Sequence, residues 1–97
     1  MIIVHDIFIC KPGNASRMAK LFKELMAGNS EFDSIMTDMT GQFNKVVMVT
    51  KYENLTAYEQ SWEKYKQDEE AMKKMTEGMK GYQEMYLTGS REIYQLW

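Results

Sequence analysis

The sequence predicts one α+β domain with elements in the order β-α-β-β-α-β, a four-stranded antiparallel sheet, and an extra helical segment before the last strand. Three observations carry this prediction. An apolar run from Ile2 to Cys10 is closed by Lys11-Pro12-Gly13. Proline cannot donate to a sheet ladder and glycine tolerates a sharp turn, so a strand stops there and a helix can start. The apolar positions that follow then fall at spacings of three and four residues, and the run Arg91 to Trp97 returns to alternation of polar with apolar.

Each element has its own signal. In the first strand both alternating sets are mostly apolar, with Ile2, Val4 and Phe8 on one side and Ile3, Ile7 and Ile9 on the other, so both faces should be covered. Residues 14 to 27 place Met18, Leu21, Phe22, Leu25 and Met26 on one helical stripe, and Gly28 follows as a natural stop. Two β-type segments, Phe32 to Thr40 and Phe43 to Tyr52, flank Thr40-Gly41-Gln42 as a hairpin, with Val46-Val47-Met48-Val49 the densest strand signal. Asn54 or Thr56 caps the second helix, the latter with Glu59 as a capping box. Along that helix Leu55, Tyr58, Trp62 and Tyr65 share a face. Asp68 can cap a further stretch in which Met72, Met75 and Met79 share a face and Glu69–Lys73 and Glu70–Lys74 pair one turn apart, while Gly78 and Gly81 weaken it. The last strand runs from Arg91 to Trp97.

A chain of 97 residues forms a single domain and buries roughly 65% of its unfolded surface, which gives only modest stability to a monomer. A partner subunit is therefore expected. The net charge is −2 with both signs interspersed, so no basic stripe exists to neutralise phosphates, and nucleic acid is not an expected partner. No leader pattern and no membrane-length apolar run occur, which predicts a cytoplasmic protein with no membrane contact. The sequons at Asn14 and Asn54 sit where helices begin and read as caps. The single cysteine, Cys10, leaves no internal disulfide and no cysteine-based metal site, and reads as buried filler.

This element order is the split βαβ plan of a ferredoxin-like domain. Helices cover one sheet face, and apolar residues on the other would be buried by pairing two sheets face to face. Through Phe8-Ile9-Cys10-Lys11-Pro12-Gly13, the aromatic helix around Trp62, and Gly89-Ser90-Arg91-Glu92-Ile93-Tyr94, the chain resembles the dimeric α+β barrel superfamily, near its NIPSNAP and antibiotic-biosynthesis-monooxygenase-like branches. The resemblance implies a homodimer through the open sheet face and a small-molecule cavity between sheet and helices in each subunit. It does not choose an activity, since the superfamily includes cofactor-independent oxygenases, haem-degrading enzymes, isomerases and members with no known activity.

The wall of such a cavity would comprise Asp6, Tyr58, Trp62, Tyr65, Met72 and Met75. A carboxylate inside an apolar strand is costly if unpaired, and desolvation would raise its pKa toward the range of a general base. Alternatively Asp6 pairs with a lysine or with Arg91, or sits at a frayed edge. His5, the only histidine, points to the opposite face of a regular strand. There it would meet the partner subunit as a hydrogen-bonded interface residue. The haem-degrading branch implies a polar residue on strand one, a tryptophan on helix two and a ligating histidine farther on. Asp6 and Trp62 occupy comparable places, but residues 68 to 80 contain no histidine, so neither haem nor any other cofactor is expected. Large side chains at helical spacing form core, whereas a buried tyrosine hydroxyl needs a partner and can orient a ligand. Two functions fit: a small-molecule-binding or structural dimer without catalysis, or a cofactor-independent monooxygenase-like enzyme for a small apolar or aromatic substrate, with Asp6 as general base.

Overall fold

The computed structural model describes residues 1–97 and orders them as β1 (Ile2–Cys10), α1 (Ala15–Leu25), β2 (Phe32–Thr37), β3 (Lys45–Tyr52), α2 (Leu55–Gln67), α3 (Glu69–Gly78), a short 3-10 turn (Tyr82–Glu84) and β4 (Tyr86–Gln95). The four strands form one sheet in the order β2-β3-β1-β4, with every neighbouring pair antiparallel. This is the ferredoxin-like α+β plan with the extra helix α3 before the last strand.

Both alternating sets of β1 face apolar surroundings, but of different kinds. Val4, Phe8 and Cys10 lie on the helix side. There Cys10, Met18, Phe22 and Val46 form the tightest core, backed by Ile35, Met48, Met79, Tyr82 and Tyr86. Met18 and Phe22 come from the stripe that the three- and four-residue spacing marks out, and they are the fully buried residues of α1. Cys10 fills space: its Sγ lies 3.5 Å from Met18 Sδ, and burial pushes the thiol pKa up, which keeps it protonated and unreactive. On the opposite side Ile7, Val47 and Val49 cluster with Ile3 and Ile9. All three helices lie across the sheet from them.

The caps divide cleanly. Asn54 Oδ1 accepts from the Ala57 amide at 2.8 Å and Asp68 Oδ1 from the Ala71 amide at 3.0 Å, so α2 starts on Asn54 and the Thr56–Glu59 box is not used. Asn14 precedes α1 but does not cap it with its side chain. Its backbone is already helical (φ −103°, ψ −7°) rather than extended, and its Oδ1 accepts from Arg17 Nη1 instead. Gly28 takes φ 86° just after α1, the left-handed conformation that stops a helix. Gly78, which by propensity weakens α3, has a packing reason. A Cβ there would run into the Leu25 side chain, so glycine lets α3 close on α1.

Four strand ends differ from those predicted. β2 ends at Thr37 and β3 begins at Lys45, so Asp38 to Asn44 form a longer connection than a tight turn at Thr40-Gly41-Gln42. Asp38 is the cause. Its Oδ1 accepts from the amides of Thr40 (2.8 Å) and Gly41 (2.6 Å), a local arrangement that takes those residues out of the ladder. These bonds, that of Gly41 foremost, hold the Asp38 carboxyl below its usual pKa. β4 starts at Tyr86, five residues before Arg91, and ends at Gln95 rather than Trp97. Gly89 lies inside the strand and pairs with Phe8, where a Cβ would make only ordinary contact with the ring.

Asn54→Ala and Asp68→Ala should each cost about 1 kcal/mol in urea unfolding, and Asn14→Ala distinctly less. Met18→Ala should cost about 2–5 kcal/mol with an unchanged m value. Because the native pKa of Asp38 is depressed, the stability it confers is present above its unfolded value of about 4 and is lost as pH falls through the lower native value. Asp38→Ala should therefore flatten the acid limb of a Tm against pH curve.

Candidate functional site

Asp6 lies on the helix side of β1, opposite Met48 of β3 and Arg91 of β4. The cross-strand register places the two charges directly opposite each other. Arg91 Nε donates to Asp6 Oδ1 at 2.5 Å, with the aspartate side chain 14% exposed and the arginine 46%. Of the two sequence alternatives for Asp6, the ion pair with Arg91 is the one the structure contains. The Asp6 hydrogen bond is the largest influence on the guanidinium and raises its pKa. Partial burial opposes this, while the charge of Asp6 and the nearby phenols of Tyr58 and Tyr52 reinforce it. The group is a cation at any working pH.

Helix α2 roofs this pair with its aromatic face. Arg91 Cζ is 5.6 Å from the Trp62 ring centroid and 6.0 Å from that of Tyr58, both within cation–π range. The rings themselves form an edge-to-face ladder: Tyr52 to Tyr58 at 5.0 Å, Tyr58 to Trp62 at 6.4 Å, and Trp62 to Tyr65 at 6.1 Å. The Tyr58 hydroxyl is buried and has no hydrogen-bond partner. Trp62 forms the outer wall and is 40% exposed. Tyr65 is half-buried, one ring removed from Arg91. Met72 is exposed and Met75 half-buried on α3, which packs chiefly on α1 and α2. The ion pair and its aromatic cover are built without either methionine.

Two open grooves border α2, one of about 580 Å³ between its start and β4, lined in part by Leu55, Ile93 and Tyr94, and a more polar one of about 470 Å³ along its outer side. Neither includes Asp6, Arg91 or Trp62. His5 faces the open side of the sheet, where its ring meets Tyr94 edge-on at 5.2 Å and its cross-strand neighbour is Glu92. The Tyr94 hydroxyl donates to Glu92 Oε2, a bond that raises the phenol's pKa. No group of three or more His, Cys, Asp or Glu side chains converges as a metal site. No helix is long and apolar enough to cross a membrane.

Residues 7–88 match the NIPSNAP family model. The chain belongs to the NIPSNAP family. Among curated proteins, none matches it. Solved structures show the same fold. Atu4242 of Agrobacterium tumefaciens superposes with a TM-score of 0.79 at 11% identity over 98% of this chain and 92% of its own. An uncharacterized NIPSNAP-like domain protein of Burkholderia xenovorans gives 0.77 at 16% identity over 99% and 84%. A proposed antibiotic biosynthesis monooxygenase of Deinococcus radiodurans gives 0.60 at 11% identity over 99% and 92%.

In this NIPSNAP chain the sequence brings Asp6, Tyr58, Trp62 and Tyr65 into one neighbourhood, and the structure adds two residues that spacing alone did not place there. Arg91 is its centre, and Tyr52 closes it against β3. The available signal was strand parity, because a residue opposite Asp6 in an antiparallel partner must share its face. Chemically the cluster offers a fixed cation with one of its five N–H donors occupied, a free phenol and planar apolar walls. Tyr58→Phe removes a buried unpartnered hydroxyl and should leave Tm unchanged or raise it. Arg91→Met strips Asp6 of its partner and should cost about 1–2 kcal/mol, discounted for the exposure of the pair. Thermal and urea unfolding of both variants check this contrast.

Proposed function

We propose that this NIPSNAP protein is a small-molecule-binding homodimer without a catalytic base, its site lying beneath α2 among Asp6, Arg91, Tyr58, Trp62 and Tyr65. The observation that carries this is the Asp6–Arg91 pair. A general base must be free to take a proton, and Asp6 already accepts a charge-assisted hydrogen bond from Arg91. The unpartnered Tyr58 hydroxyl and the half-exposed Trp62 supply the polar handle and apolar wall of a small-molecule site.

The homodimer is proposed through the open sheet face. Ile7, Val47 and Val49 form an apolar patch there with Ile3 and Ile9, and Met36, cross-strand from Val47, extends it toward β2. An apolar sheet face of this kind is stabilised by a second sheet packed against it. The second reading, a cofactor-independent monooxygenase using Asp6, is favoured by the fold shared with the Deinococcus radiodurans protein. It requires Arg91 to release Asp6. Dioxygen uptake with added hydroquinone that vanishes in Asp6→Asn would favour the enzyme.

A native mass spectrum tests both parts of the main proposal. The expected species is twice the 11.4 kDa chain carrying a non-protein mass, and a monomer at all concentrations would sink the dimer. Met36 is 44% exposed, so Met36→Asp spares the subunit fold. It should convert the dimer to a folded monomer.

A further inference from the structure

Arg91 spends one donor on Asp6 and has no other hydrogen bond within the chain, which leaves both Nη groups unpaired. The Tyr58 ring lies 6.0 Å from the same guanidinium, and its hydroxyl is buried without a partner. Buried polar groups are ordinarily satisfied, so the unpartnered Tyr58 hydroxyl, carried on a ring beside a half-exposed guanidinium with free N–H groups, marks a place for an acceptor. The surrounding rings of Trp62, Tyr58 and Tyr52 suit a flat, apolar body. The place is reached from solvent, because α2 contributes no fully buried residue and both Trp62 and Arg91 are partly exposed.

We propose that the α2 edge over Arg91 binds a planar aromatic molecule through an anionic oxygen, carboxylate or phenolate, which accepts from the free Nη groups of Arg91 and from the Tyr58 hydroxyl while its ring stands against Trp62. This rests on the small-molecule-binding function above and adds the chemical class of the ligand. Asp6 holds the guanidinium in place and offsets its charge. The anion therefore meets an oriented fork rather than an uncompensated cation, and its advantage over a neutral ligand is about tenfold rather than thousands.

The test is a titration of the intact protein with benzoate and, separately, with benzyl alcohol, followed by the NMR shifts of the Trp62 indole N–H and the Arg91 Nε–H. Trp97→Phe assigns the indole. Benzoate is expected to move both signals and to bind about tenfold more tightly than benzyl alcohol. Arg91→Lys keeps a cation beside Asp6 and so preserves the fold, but it lacks the planar fork and should remove benzoate's advantage. Tyr58→Phe should weaken benzoate severalfold and leave benzyl alcohol unchanged. Equal affinity for the two probes, or an advantage that survives in Arg91→Lys, would overturn the anion anchor and leave the binding function standing. Absence of any shift at Trp62 with either probe would overturn both.

Discussion

The fold depends on β1 being apolar on both faces while it is hydrogen-bonded along both edges. Its edges are taken by β3 and β4, so it cannot move to the margin of the sheet, and its two side-chain sets must be buried in different ways. The helix-side set is buried by α1, whose Met18 and Phe22 reach Cys10 and Val46. The other set clusters with Val47 and Val49 across the sheet from every helix. The helix layer is itself uneven. Helix α1 contributes fully buried residues, whereas α2 and α3 contribute none. Apolar burial scales with area removed from water, so the α1 half holds the buried core and α2 is the more exposed roof, with the candidate site beneath it.

Much of this fold was legible because its signals are local. The Lys11-Pro12-Gly13 break, the α1 stripe and the caps at Asn54 and Asp68 each act within one turn of chain, and all appear where the residues place them. The boundaries that shifted depend on partners distant in sequence or on side chains competing with the ladder. β4 extends back to Tyr86 because β1 offers pairing partners for Tyr86 and for Thr88 to Ser90, Gly89 among them opposite Phe8. β2 stops early because the Asp38 carboxylate captures two amides. Asn14 shows the converse: the residue type suits a cap, but its backbone is helical and its side chain engages Arg17.

The site was legible to the extent that helical spacing determines neighbours. Tyr58, Trp62 and Tyr65 form the continuous edge-to-face ladder their spacing implies. Met72 and Met75 followed the same rule onto a face of α3, yet a shared face does not say which surface it meets, and α3 packs chiefly against the other helices. Arg91 was visible only as one of several possible partners for Asp6. Choosing it required the β1–β4 register, which joins residues 85 positions apart and which no local pattern encodes.

That register connects the fold to the site. A slip of one residue in β4 would send Arg91 to the open face and bring Glu92 beneath α2. Asp6 would then sit opposite a carboxylate under an aromatic roof, an arrangement with like charges directly across strands. The ion pair thus penalises the wrong register as well as holding the guanidinium in place. The irregularity between β1 and β4 falls at Ile9 and Cys10, beyond the stretch from Ile2 to Ile9 that pairs without interruption. Pairing at Asp6 is therefore insulated from the bulge. The residue that anchors the site also selects the strand alignment that creates it. For that reason a lysine, which preserves the charge while removing the fork, separates the two roles more cleanly than any neutral replacement.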